Sequence, residues 1–287
     1  MSHGALSVVH GNGSVRTRLA PLAGSLVTML ALALAAPGTA HAANYGHMTH
    51  PDLDWLGSQI QIHEGRSAPG DAKAGTATVT QTAGMDVSSY QGSVNWAGAW
   101  SKGAKFAYVK ATEGTSYTNP AFTQQYNGSY NVGMIRGSYH FALPDVSTGA
   151  AQADYFAAHG GGWSKDGKTL PGALDMEYNP YGATCYGKTA SGMVSWITSF
   201  SKEYHAKTGR YPTIYTSTSW WSTCTGNSTA FSADNALWVA RYASAVGALP
   251  ANWGYQTFWQ WADTGTFPGD QDRFNGALDR VKAYANG

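Results

Sequence analysis

Asp175-Met176-Glu177 places two carboxylates two residues apart. On a strand, residues i and i+2 share a face, with Cα atoms roughly 6.5 to 7 Å apart. Two acids so placed repel one another, which favours a proton on one of them near neutral pH. Glycoside cleavage uses such a pair: a protonated acid for the leaving oxygen and an ionised group near the anomeric carbon. A lone D-x-E at a strand end is more often a solvated loop edge. Two further acids alter that balance: Asp86 in Gly84-Met85-Asp86-Val87-Ser88, and Asp272 in Gly269-Asp270-Gln271-Asp272-Arg273-Phe274. Their bland readings are a helix cap and a turn residue, but all four acids fall where short β-rich runs end.

Those runs are Gly84–Val87, Phe106–Lys110, Ile135–Phe141, Ala173–Glu177, Thr213–Thr216, Leu237–Arg241, Thr257–Trp261 and a short one near Asp272–Phe274. Helical patterns lie between the early ones. Phe122, Tyr126 and Tyr130 recur every four residues after Pro120. Met193, Trp196, Ile197, Phe200 and Tyr204 mark one face at a 3.6-residue period. That second helix is expected to start near Thr189 or Ser191 and to end at Gly209, with Pro212 just beyond. After about Thr216 the helical signals fade. Alternating strand and helix implies a parallel sheet. About eight strands suggest an α/β barrel whose outer layer is incomplete in the last third, with catalytic groups at the C-terminal strand ends.

The first residues read as an address rather than as fold. Arg16 and Arg18 precede an apolar run, Leu22 to Ala36, and Ala40-His41-Ala42 follows. These are the parts of a secretory signal peptide, expected to span 1–42, and the apolar run is too short to cross a bilayer. Its removal takes two arginines and no acid, leaving 16 basic against 17 acidic residues. A near-neutral chain argues against nucleic acid or an anionic membrane as partner. Charged residues make up 12% and aromatic residues 13% of the chain, a balance suited to a secreted, extracellular protein that handles a weakly charged polymer such as a glycan, since Trp and Tyr faces stack on sugar rings. In an exported protein Cys185 and Cys224 are expected to form a disulfide. No Cys/His spacing resembles a metal site, and no cofactor is expected. Residues 43–83, with an amphipathic stretch at Leu53 to Ile62, read equally as a propeptide, a docked helix or a linker. Residues 84–287 read as the main domain.

Six motifs carry a family resemblance. Met85-Asp86-Val87-Ser88-Ser89-Tyr90-Gln91-Gly92, Ala107-Tyr108-Val109-Lys110-Ala111-Thr112-Glu113-Gly114 and Gly137-Ser138-Tyr139-His140-Phe141-Ala142 resemble family 25 glycoside hydrolases, the Chalaropsis-type lysozymes. So do Leu174-Asp175-Met176-Glu177, Leu237-Trp238-Val239-Ala240-Arg241-Tyr242 and Phe258-Trp259-Gln260-Trp261. The resemblance implies a modified TIM-like (β/α)5(β)3 barrel. It also implies hydrolysis of the β-1,4 bond from N-acetylmuramic acid to N-acetylglucosamine in bacterial peptidoglycan, with net retention either by direct attack of Asp175 or by the substrate's 2-acetamido group held by Asp175, an inverting water being the alternative; a monomer is expected. By position, Glu177 matches the general acid, Asp175 the carboxylate beside it, and Asp86 and Asp272 two further pocket acids, with Asp270 a rival to Asp272. Tyr139, Tyr215, Arg241 and Trp259 match sugar-contacting or carboxylate-orienting positions. His140 and Glu113 are expected to be structural. A family 18 chitinase pattern, D-G-x-D-x-D-x-E, is met here only by its last two acids. A non-catalytic glycan-binding barrel is disfavoured because all four acids are present.

Overall fold

The structure, a computed structural model, describes residues 52–66 and 80–287. The expected signal segment 1–42 lies outside the described residues, as do 43–51 and 67–79. Helix α1 (Ser58–Glu64) comes first, followed by β1 (Thr82–Val87), α2 (Trp96–Ser101), β2 (Phe106–Glu113), β3 (Tyr117–Thr118), α3 (Phe122–Asn131) and β4 (Ile135–Phe141). Then come α4 (Gly149–Ala158), β5 (Ala173–Asp175), α5 (Ala190–Thr208), β6 (Thr213–Thr216) and α6 (Thr218–Thr225). The chain finishes with β7 (Leu237–Ala240), β8 (Phe258–Ala262), β9 (Asp270–Phe274) and α7 (Leu278–Asn286).

Strands β1, β2, β4, β5, β6, β7 and β8 run parallel in that order. Strand β9 pairs antiparallel with both β8 and β1 and closes the ring, while β3 forms a hairpin on the end of β2. Helices follow each of the first five barrel strands and none separates β7, β8 and β9. This is the (β/α)5(β)3 barrel.

Strand alternation decides what reaches the site. Along β2, Ala107 and Val109 face outward onto Met85, Val87, Trp96 and Met134. Phe106 and Tyr108 face inward, where Phe106 meets Phe258 at 5.3 Å and Tyr108 meets Trp238 at 4.7 Å between ring centroids. Gly84 on β1 leaves the room: a Cβ there would overlap the Phe106 ring. The next inward position is Lys110, fully buried. Aromatic rings thus fill the barrel's lower interior, and the polar side chains collect above them at the C-terminal mouth.

Helix α5 is the one the periodicity described. Thr189 caps it, its Oγ1 accepting from Gly192 N at 3.1 Å, and Gly209 ends it in the left-handed region at φ 75°. Helix α3 also forms, but its buried face is Gln125 and Ser129, while Tyr130 is exposed. The aromatic stripe lies at the helix's rim because Gln125 is drawn inward, donating to the carbonyls of Ser88 and Gly92 at 2.7 and 2.8 Å. Helix α6 corrects the fading of helical signals after Thr216. It is short, and its Ser217 cap, whose Oγ accepts from Trp220 N at 3.0 Å, replaces the long apolar period that α5 has. Cys185 and Cys224 are disulfide-bonded with Cα atoms 5.3 Å apart, tying the loop after β5 to α6.

Candidate active site

Asp175 is the last residue of β5, and Glu177 lies two residues beyond Asp175. Both are buried. The register places Asp175 between Phe141 on β4 and Tyr215 on β6. Across the mouth, Asp86 on β1 stands opposite Asp270 on β9. Gln260 on β8 joins them: its Nε2 lies 2.9 Å from Asp86 Oδ2, 2.9 Å from Asp270 Oδ2 and 3.0 Å from the Leu56 carbonyl. The Tyr215 hydroxyl donates to Gln260 Oε1 at 2.6 Å. Asp272 faces Gly84 and Gln260 in the register and accepts from Trp238 Nε1 at 3.1 Å. The two β9 acids therefore both point inward, with Asp270 level with Asp86 and Asp272 nearer the aromatic filling.

Burial governs the ionisation of this cluster. It pushes Glu177 up to about 8 against the pull of the Gly57, Gln59 and Ile60 amides, and Asp86 up to about 7 against the Gln260 amide. Asp175 is held well above the usual carboxylate range by burial and then by the charge of Glu177. Neither of its oxygens has a hydrogen-bond partner among the described residues. Asp270 is raised by burial, then by Asp86 and Asp272. Asp272 is raised by burial, then by Asp86. The pair at the end of β5 therefore combines a proton reservoir with a carboxyl group whose oxygens are free to meet a donor.

The other expected residues divide. Tyr139 is in the mouth, its hydroxyl accepting from Leu56 N at 3.2 Å, and Tyr215 lies beside Asp175 as above. Arg241 follows β7 and lines a rim groove of about 250 Å³ with Ile60, Glu64, Thr218 and Tyr242, away from the acids. Trp259 is a correction. Its neighbours Phe258 and Gln260 face inward, so alternation turns Trp259 outward, where its Nε1 donates to the Arg241 carbonyl at 2.9 Å and its ring faces Arg273. His140 also faces out of the barrel, between Thr112 at 2.8 Å and Gln152 at 2.9 Å, and burial pushes it down to about 3.

Lys110, Gln260 and Tyr242 were not singled out from sequence. Lys110 Nζ lies 2.7 Å from Glu113 Oε2 and 3.0 Å from Asp54 Oδ1. The Tyr242 hydroxyl lies 3.0 Å from Gln260 Oε1 and 3.1 Å from the Gly57 carbonyl. A signal existed for two of them: a lysine and a glutamine at inward positions of otherwise apolar strands must have buried partners, because an unpaired buried polar group is costly.

These ionisation shifts set a pH dependence. Asp86, Glu113 and Glu177 hold protons more tightly folded, at about 7, 8 and 8, than an unfolded carboxylate at about 4. Their contribution to stability is full below about pH 4 and is lost as pH rises through 7 to 8. His140 has the opposite sign, its contribution being lost as pH falls from about 6.5 toward 3. Calorimetry of the full chain is expected to show Tm falling between about pH 4 and pH 8, with a shallower fall in Glu177→Gln. An equal slope in the two proteins would contradict this assignment of the protons.

Comparison with known proteins agrees with this geometry. The sequence model of glycosyl hydrolases family 25 matches residues 85–270. The chain is 57% identical over 208 residues to the N,O-diacetylmuramidase of Chalaropsis sp, a match spanning 71% of this chain and 99% of that one. It is 44% identical over 275 residues to Lysozyme M1 of Streptomyces globisporus, spanning 92% and 93%. The solved structure of a family GH25 lysozyme from Aspergillus fumigatus superposes with a TM-score of 0.72 at 48% identity, covering 72% of this chain and 100% of the other. With its acids gathered at the mouth of a (β/α)5(β)3 barrel, the chain belongs to glycosyl hydrolases family 25 and is a glycoside hydrolase.

Proposed function

We propose that the chain is a secreted N-acetylmuramidase that acts as a monomer on bacterial peptidoglycan, cutting the β-1,4 bond between N-acetylmuramic acid and N-acetylglucosamine with net retention. The observation that carries this reading is the buried pair at the end of β5. Glu177, two residues beyond Asp175 at the end of β5, gives a proton to the leaving sugar oxygen. Asp175, with both oxygens unpartnered, accepts a hydrogen bond from the substrate's 2-acetamido N–H. That bond orients the acetamido carbonyl for attack on the anomeric carbon from the face opposite the leaving sugar, and water, giving a proton to Glu177, then opens the cyclic intermediate from the face that sugar vacated. Asp86 and Asp270, joined through Gln260, line the opposite wall, with Asp272 behind them. Two relatives named as N,O-diacetylmuramidase and lysozyme support the substrate class. Secretion rests on the expected signal at 1–42, and no helix among the described residues is long and apolar enough to cross a membrane.

The test is clearance of a bacterial wall suspension followed by mass spectrometry of the released fragments. The expected products end in reducing N-acetylmuramic acid, and proton NMR of the first turnovers shows the β-anomer. Fragments ending in reducing N-acetylglucosamine would make the chain a glucosaminidase. An initial α-anomer would replace acetamido attack by an inverting water.

A further inference from the structure

The glycosidase mouth is already occupied by the chain's own residues 52–66, and this segment engages the groups assigned to catalysis. The amide of Gly57 donates to Glu177 Oε1 at 2.7 Å and that of Gln59 to Oε2 at 3.1 Å, so both oxygens of the proton donor are taken. Leu56 and Ile60, 0% and 1% exposed, enter the barrel's core cluster. The Leu56 amide and carbonyl are met by Tyr139 and Gln260, and the Gly57 carbonyl by Tyr242. Asp54 pairs with buried Lys110. Trp55 stacks on the rim residue Tyr90 at 6.2 Å and His63 on Tyr178 at 4.1 Å. Arg66 closes the far end by a two-point contact with Asp263. With these contacts in place Asp175 and Glu177 are each 1% exposed.

The fit depends on Gly57. It sits at φ 92°, and a Cβ there would overlap Tyr242 Oη, Gln260 Oε1 and Tyr215 Oη, so only glycine lets the backbone reach Glu177. The barrel does not require the segment for completeness. A match using 71% of this chain spans 99% of the Chalaropsis enzyme, and one using 72% spans all of the A. fumigatus structure. That length is accounted for by β1 onward.

We propose that residues 52–66 are a tethered competitive inhibitor, and that the chain is a latent enzyme activated when hydrolysis of the peptide tether frees this segment from the barrel. Cleavage converts an intramolecular ligand, held at high effective concentration, into a free peptide that dilutes away. This inference rests on the glycosidase reading above, and of the three readings of residues 43–83 it corresponds to the propeptide.

The test uses the full chain with a site-specific protease sequence in place of residues 70–76. Clearance of a wall suspension is measured before and after cutting, with removal of the released peptide by gel filtration. The cut chain is expected to be at least about tenfold faster. A synthetic peptide of residues 52–66 should inhibit the cut chain competitively, and the same peptide carrying Gly57→Val should not. Uncut full chain carrying Gly57→Val should match the cut wild type, with near-ultraviolet circular dichroism reporting its barrel. Equal activity before and after cutting, with no inhibition by the peptide, would overturn the inhibitor and leave the glycosidase standing. A cut chain that clears no wall and yields no reducing ends would overturn both.

Discussion

Glu177→Gln lowers wall clearance by about 10² to 10⁴-fold, the usual worth of a general acid, while binding of glycan fragments persists. The substitution keeps the side chain's size but removes the titrating proton. Binding survives because the other polar groups of the mouth, Tyr139, Tyr215, Tyr242 and Gln260, are neutral and untouched by the substitution. A leaving group that departs without protonation separates the two acids at the end of β5. An aryl glycoside with an activated phenol should recover much of the loss in Glu177→Gln. It should recover little in Asp175→Asn, because that variant has lost the carboxylate at the anomeric end rather than the proton donor. All proteins are compared after the same processing, since residues 52–66 cover the acid in the intact chain. Wall clearance by Glu177→Gln near the wild-type rate would remove Glu177 from the mechanism and turn attention to Asp86.

How much of this was legible beforehand differs by element. The acids could be found because strand ends collect catalytic groups in a barrel and because Asp175-x-Glu177 has a strand's two-residue period. Helix α5 could be found because five large apolar residues share one face. The aromatic positions were harder. Tyr139 and Tyr215 face the mouth, but Trp259 does not, since a motif such as Phe258-Trp259-Gln260-Trp261 does not state its own phase. With aromatic residues at three of four positions, apolarity cannot say which side is in, and the answer comes from Gln260, the polar residue that bridges Asp86, Asp270 and Leu56. The choice between Asp270 and Asp272 is resolved in the same way. The sequence makes them rivals, whereas an antiparallel β9 with its i,i+2 spacing puts both inside at different depths. Least legible was the role of Leu53 to Ile62. Its amphipathic pattern says that one face is buried, but not against what, and the partner turned out to be distant strands joined only by the closure of the barrel.

Lys110→Met is expected to destabilise the intact chain by about 3 to 5 kcal/mol, the cost of leaving a buried ion pair with one partner. Lys110 and Glu113 are fully buried, and one ammonium serves two carboxyl groups, Glu113 and Asp54. Burial already pushes Glu113 up to about 8, Lys110 opposes that rise, and the charge of Asp54 adds to it. Without the ammonium, Glu113 holds its proton more tightly still, and Asp54 loses the cation that anchors residues 52–66. Removing Glu113 as well relieves one of the two carboxyl groups that the lost ammonium strands, so Lys110→Met with Glu113→Leu is expected to be more stable than Lys110→Met alone in urea unfolding. Two costs that simply add would mean that the residues do not act as a pair. Lys110 also has a positioning role that stability does not report. Its charge lowers the pKa of Asp175, so its loss raises that group further and delays the carboxylate to higher pH. The acidic limb of the pH–rate profile on wall substrate should therefore move to higher pH in processed Lys110→Met, and move back in Lys110→Arg. If the profile stayed in place while stability fell, Lys110 would be a structural cation with no influence on the acid beside it.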